Sequence, residues 1–300
     1  MISAVVHTYN EEDNIDRCLS SLDFVDDIVL VDMKSTDNTV RIARNFKARI
    51  FSHPYLGFVE PARNFAIEKA KNGWILIVDA DEEIPNSLAG QITELIENPG
   101  DYNYFYIPRK NIIFGKWIRN SGWWPDFQIR LFKKGTVVWG DKIHAIPHTR
   151  GHGREIEETE SNSIIHYHYQ SVEEFLERLN RYTTIQAKDL YLNNVKLSLD
   201  MLVKKPVNEF IKRFFLELGY RDGFHGLALS GLQSFSELVL YLKLWQLSGF
   251  PQKQIEMDVY SKIKKEADRI HDYWLYNALL EKPRRGLERL FYRIRRKLNS

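Results

Sequence analysis

The chain has 300 residues, of which 44% are hydrophobic and 27% charged, with 42 Lys+Arg against 40 Asp+Glu; this excludes a disordered chain and allows one large core or two smaller ones. A single cysteine, Cys18, excludes an intrachain disulfide and a cysteine zinc cluster and fits a reducing compartment. The opening "ISAVV" lacks a basic lead-in and no run of about 18 uncharged apolar residues marks a membrane span, so the chain is expected in the cytoplasm.

Val/Ile-rich runs at 2–9, 27–33 and 74–79 alternate with segments of helical spacing at 12–22, 37–46 and 60–72. The order reads β-α-β-α. Near-continuous apolar strands predict burial on both faces, hence an α/β fold with a mostly parallel central sheet and helices on each side. Such sheets bind ligands beyond the carboxyl ends of their strands. There this chain is polar: "HTYNEED", "DMKSTDNT" and "DADEE" each follow a strand. Asp37 or Thr36 is placed to cap the second helix, and Pro85 suits a first helical position. Glu82 and Glu83 are expected to favour the N-terminus of the helix after them.

Neither GxGxxG nor GxxxxGK[ST] follows the first strand, so neither a dinucleotide fold nor a P-loop is supported. Asp79 and Asp81 stand two apart where extended structure ends and can share one side of the chain. A divalent cation held by one or two carboxylates is the common alternative for gripping phosphates.

From about 102 to 168 the pattern turns to aromatic-rich strands with many histidines. His144, His148 and His152 recur every four residues, but Pro147, Gly151 and Gly153 oppose a helix; His166 and His168 alternate on a predicted strand. Trp123 and Trp124 are candidates either for an acceptor platform or for the core. A helix is predicted over 171–192, with Ser171 as cap and Glu174 three residues on. The domains are accordingly set at 1–170 and 171–300. The segment 210–250 is aromatic and apolar but interrupted by charges, which fits an interface or a packed core. The last stretch, "KPRRGLERLFYRIRRKLNS", places Leu287, Leu290, Phe291 and Ile294 at helical spacing among six arginines and two lysines. It reads either as a solvated helix folded on its own domain or as a basic amphipathic helix for an anionic membrane surface, each basic residue contributing roughly 1 kcal/mol there. No nucleic-acid recognition motif accompanies the charge.

Four stretches occur in a recognisable order: "VVHTYNEEDNIDRCLSSL", "IVLVDMKSTDNTVRIA", "PARNFAIEKAKNGWILIVDADEEI" and "WWPDFQIRLFKKG…WGDKIHA". Over about residues 1–190 the chain resembles family 2 glycosyltransferases of the GT-A fold, and more narrowly the branch with lipopolysaccharide-core β-glucosyltransferases. "ELGYRDGFHGLALSGLQSFSE" is similar to that branch as well. The resemblance implies a GT-A catalytic domain followed by a helical C-terminal region. It implies inverting, metal-dependent transfer from a nucleoside-diphosphate sugar, expected to be UDP-linked, with Mg²⁺ or Mn²⁺, onto a lipopolysaccharide-core or other lipid-linked glycan. With the basic tail, it places the chain peripherally on the cytoplasmic face of the inner membrane.

By the same resemblance Thr8, Asn10 and Glu11 lie at the nucleotide-binding strand end, and Asp32 meets uracil or ribose. Arg63 and Asn64 lie near the nucleotide, Asp79 and Asp81 form the DxD with Asp81 on the metal, and Arg130 approaches the diphosphate; His144, from the histidine pattern itself, is a candidate to assist the metal. The family's acceptor loop usually ends Val-His-Glu, whereas this chain reads Ile143, His144, Ala145. The customary base is absent, and Asp126 and Asp141 are the candidates to replace it. Ala145 also keeps a second reading open: a catalytically weak nucleotide-sugar-binding or scaffold protein of cell-envelope glycan assembly.

Overall fold

A computed structural model describes residues 1–55, 59–140, 147–281 and 287–299. They divide into two compact units, Met1–Ile113 with Trp124–His168, and Phe114–Trp123 with Tyr169–Ser300.

The first unit opens with four strands, β1 (Ile2–Thr8), β2 (Asp27–Asp32), β3 (Ala48–Ser52) and β4 (Trp74–Asp79), separated by helices α1 (Ile15–Ser20), α2 (Thr39–Ala43) and α3 (Glu60–Lys69). The strands lie in the order β3-β2-β1-β4 with parallel pairing throughout. Every residue of β1 is buried, because alternate side chains enter two different cores. Ala4 and Val6 meet Ile15, Cys18 and Leu19 of α1 and Ala43 of α2. Val5 meets Ala62, Ala66 and Ile67 of α3 on the opposite face.

Beyond β4 come β5 (Glu82–Glu83), α4 (Asn86–Glu97) and β6 (Tyr102–Ile113), then β7 (Lys116–Trp117), β8 (Asp126–Lys133), β9 (Val137–Val138), β10 (His148–Thr149), β11 (His152–Glu155) and β12 (Ile164–Tyr169). The sheet continues β4-β8-β6-β12-β5. β8 runs antiparallel to β4 and to β6, and β12 antiparallel to β5. The aromatic-rich half thus extends the parallel half largely through antiparallel pairs, while β11 joins β6 in parallel. Helix α4 starts at Asn86 with Pro85 as its N-cap. Asp37 accepts from the backbone N–H and hydroxyl of Thr39, the first residue of α2.

The second unit holds α5 (Val172–Leu192), α6 (Leu199–Ile211), a π turn at Lys212–Leu216, a 3-10 turn at Gly219–Asp222, α7 (Phe224–Leu247), α8 (Met257–Glu281) and α9 (Leu287–Leu298). The hydroxyl of Ser171 accepts from the backbone N–H of Glu174 at 3.1 Å and Glu174 Oε2 accepts from that of Gln170, which stops α5 from fraying. The "GYRDGFHG" stretch has a structural task within this unit: it grips residues 114–123. Buried Asp222 accepts from the backbone N–H of Asn120 at 2.9 Å, and Lys116 Nζ donates to the Asp222 carbonyl at 2.8 Å. Gly226 has no room for a side chain, since a Cβ there would stand 1.8 Å from the Gly219 carbonyl oxygen. Among the described residues, no helix is long and apolar enough to cross a membrane.

Candidate active site

Parallel register sets the site. Thr8 pairs with Asp32 and His7 with Asp79, so the carboxyl ends of β1, β2 and β4 finish level. Asp79 falls on the α3 side of the sheet because Ile75 and Ile77, its period-two neighbours, pack there. Arg63 of α3 meets it, Nη2 to Oδ1 at 3.3 Å.

Behind Asp79 lies a buried ion network. Arg130 of β8, 3% exposed, donates from Nη2 to Asp79 Oδ2 and to Glu82 Oε1, the latter at 2.6 Å. Glu82 is fully buried and also accepts from the backbone N–H of Asp79 at 2.9 Å and from Arg109 at 3.4 Å. Burial by itself raises the pKa of Asp79, but the charges of Arg130 and Arg63 outweigh it and hold the carboxyl well below the usual range. The helix-terminus role expected of Glu82 and Glu83 is therefore corrected. Both sit in β5: Glu82 is a counter-charge, and Glu83 accepts from the Tyr167 hydroxyl at 2.9 Å. Arg130, expected at a diphosphate, is bound instead by two carboxylates; it is the extra residue of a β-bulge in β8, between Ile129 and Leu131, which pair with Tyr106 and Phe105.

Asp81 leads to a second cluster. Antiparallel pairing of β12 with β5 sets His166 opposite Glu82 and brings the "HYHY" strand beside the DADEE loop. His166 Nε2 stands 3.3 Å from Asp81 Oδ2, and His168 Nδ1 3.2 Å from His166 Nε2. One ligand atom from each of Asp81, His166 and His168 lies within 4.8 Å of the others, a donor set suited to a divalent cation. The orientation is fixed from outside. Asn111 donates its amide N–H to Asp126 Oδ2 at 3.2 Å, so its carbonyl oxygen faces His166 Nδ1, 2.6 Å away. That acceptor calls for the proton on Nδ1 and leaves the Nε2 lone pair toward Asp81.

Asp126 is heavily engaged. It accepts from Arg109 Nε at 2.9 Å, from Arg109 Nη2, from Asn111, and from Gln128 at 2.8 Å. Burial raises its pKa, yet Arg109 and these hydrogen bonds bring it below the usual value. A carboxylate so stabilised is a weak proton acceptor, unlike the base expected from the sequence. Asp141 and His144, with Ala145, lie outside the described residues.

The other expected residues organise the rim. Asn10, at φ 55°, accepts from the backbone N–H of Thr36 at 2.8 Å. Glu11 donates its backbone N–H to the Thr39 hydroxyl at 2.8 Å and accepts from the Asn14 amide. Asp32 accepts from the backbone N–H groups of Lys34 and Ser35. Together they knit the loops after β1 and β2. Asn64 exchanges both amide bonds with the Trp139 backbone, at 2.8 and 3.0 Å, and the Arg63 guanidinium lies 5.6 Å from the Trp139 ring centroid. Among the described residues, buried Thr8 Oγ1 has no hydrogen-bond partner, leaving a polar atom for a ligand at the strand end.

His7 was not singled out from the sequence. Burial first, and then the positive charge of Arg63, lower its pKa to about 3, so the imidazole is neutral. Its folded pKa lies below the unfolded value of 6.5, so the stabilisation is complete above pH 6.5 and is lost as pH falls toward 3. Denaturant titrations of His7→Gln and wild type should show the variant losing roughly 3 kcal/mol less between pH 7 and pH 4. Equal losses would mean that His7 is not held neutral.

Residues 3–156 match the family model described as Glycosyl transferase family 2. An uncharacterized glycosyltransferase of Rickettsia typhi (strain ATCC VR-144 / Wilmington) is 29% identical over 268 residues, covering 86% of this chain and 91% of that protein. The lipopolysaccharide core biosynthesis glycosyltransferase LpsC of Rhizobium meliloti (strain 1021) is 24% identical over 237 residues, covering 77% of this chain and 84% of LpsC. Among solved structures, S. aureus TarS 1-349 in complex with UDP aligns over 85% of this chain and 93% of that one, with 15% identity and a TM-score of 0.41. A superposition that loose transfers no binding site.

Proposed function

The chain belongs to glycosyl transferase family 2, and from that premise we propose that it moves a sugar, with inversion, from a UDP-linked donor to a lipopolysaccharide-core or other lipid-linked glycan at the cytoplasmic face of the inner membrane. The observation that carries this reading is the gathering of Asp81, His166 and His168 within 4.8 Å at the carboxyl edge of the parallel strands. The name of the LpsC relative supports the acceptor class.

Asp81, His166 and His168 would hold Mg²⁺ or Mn²⁺, and the oriented Nε2 of His166 fits such an ion. When bound, the ion supplies positive charge that offsets the charge developing on the departing diphosphate. The protein's own groups do the rest. Arg63 and Arg130 keep Asp79 ionised, and Asp79 is placed to accept hydrogen bonds from the sugar or ribose. Thr8 contributes an uncommitted hydroxyl at the strand end, and Asn10, Glu11 and Asp32 shape the nucleotide rim. Asp126 positions Asn111 and thereby His166. The role of accepting the acceptor's hydroxyl proton then falls to Asp141.

A panel of nucleoside-diphosphate sugars, with and without Mn²⁺, tests the reading by thermal shift and by release of nucleoside diphosphate. The expected result is stabilisation by a UDP-sugar that is larger with metal, together with slow donor hydrolysis. If no donor is bound or hydrolysed in the presence of metal, the reading fails. Donor binding with neither hydrolysis nor transfer to any glycan would favour the scaffold reading raised by Ala145.

A further inference from the structure

Helix α9 rests on the chain by its polar side. Its partly buried side chains are Tyr292 and Arg296, followed by Asn299 just beyond the helix. The Tyr292 ring lies 5.9 Å from that of Tyr276 on α8, and Arg296 Nη1 donates to Asn277 Oδ1 at 3.1 Å. The apolar residues face outward: Leu287, Leu290, Phe291, Ile294 and Leu298 are 84, 54, 49, 51 and 71% exposed. At 3.6 residues per turn these five fall within an arc of about 100°. A helix that serves only its own domain buries such a stripe and turns its charges to water. This one leaves the stripe in water together with most of its charges.

The charge around the stripe identifies what covers it. Arg295 flanks one side, Arg293 and Lys297 the other, and Glu288 is the one acid of the helix. Beside the stripe, Tyr273 of α8 with Arg293, Arg296 and Lys297 lines a cleft of about 400 Å³, a size that takes a small anionic group. A second copy would bring the same cations against these, at a cost. A convex apolar stripe between two cationic margins matches the boundary between acyl chains and anionic headgroups. We infer that α9 lies in an anionic lipid surface, with the stripe entering the acyl boundary and the cleft beside Tyr273 taking lipid phosphates. Its functional meaning rests on the lipid-linked acceptor reading, whereas the attachment is testable without catalysis.

The full chain is sedimented with vesicles of phosphatidylethanolamine and phosphatidylglycerol, and separately with vesicles of phosphatidylcholine alone. Binding is expected to the first, far less to the second, and to fall with added salt. Leu290→Asp/Phe291→Asp/Ile294→Asp and Arg293→Glu/Lys297→Glu should each lower the partition by about tenfold or more, with the melting temperature kept because these side chains are exposed. Equal binding to both vesicle types, or wild-type binding by the stripe variant, overturns the inference. So does a wild-type dimer in light scattering that the stripe variant converts to monomer, which would give the stripe to a second copy. Donor hydrolysis in the same samples keeps the readings apart: its loss with vesicle binding intact defeats the transferase reading and leaves the attachment standing.

Discussion

Arg130→Met is expected to destabilise the protein by about 3–5 kcal/mol, because it strips a buried cation from two carboxylates, one of them fully buried. Methionine fills much the same volume, so the loss is electrostatic rather than a cavity effect. Arg63 at 3.3 Å still serves Asp79, whereas Glu82 keeps the cation of Arg109 at 3.4 Å and the backbone N–H of Asp79. Adding Glu82→Gln to Arg130→Met should therefore recover on the order of 1–3 kcal/mol, since the second change removes the charge that the first left uncompensated. Urea unfolding of the two single variants and the double variant measures this directly. A single-variant cost below about 1 kcal/mol, or a strictly additive double variant, would show that these groups are not coupled as an ion network. The pH dependence has a fixed sign. Asp79 is held below its unfolded pKa, so its contribution is complete above that value and lost on acidification. Arg130→Met should show a shallower acid limb.

Asp126→Asn and Asp141→Asn are expected to fail in different ways. Asp126 orients Asn111, and Asn111 fixes the tautomer of His166. An asparagine at 126 faces the Asn111 amide with a group that can point its own N–H that way, which invites a flip that presents the wrong atom to His166. Loss of such an outer partner typically costs about 10–100-fold in metal affinity, and Mn²⁺ binding by calorimetry or paramagnetic resonance should show it. Asp141→Asn, by contrast, should leave Mn²⁺ and donor binding unchanged while transfer falls by about 100-fold or more, as for removal of a general base. Full Mn²⁺ affinity in Asp126→Asn together with lost transfer would return Asp126 to the role of base.

Much of the first unit was legible before any coordinates. The runs that became β1, β2 and β4 carry their own signal, because a strand buried on both faces must be apolar at every position. The cap at Ser171 is legible for a related reason: donor and acceptor lie three residues apart. The alternation in "HYHY" could have marked His166 and His168 as sharing one strand face. It could not say that the face looks toward Asp81, 85 positions earlier.

Local chemistry therefore determined the strand ends, the polar loops after them, the paired Asp79 and Asp81, and the basic amphipathic period of the last helix. These depend on residues within a turn or a pleat of one another, and the sequence preserves those distances. Only the tertiary structure decided that Glu82 is a buried counter-charge, that Arg130 faces inward, that Asp126 acts through Asn111, that residues 114–123 belong with the second unit, and that α9 turns its apolar stripe outward. Each depends on strand register or on which side of a helix meets its neighbour. A one-residue slip, or a rotation of about 100°, would reverse it without changing a letter.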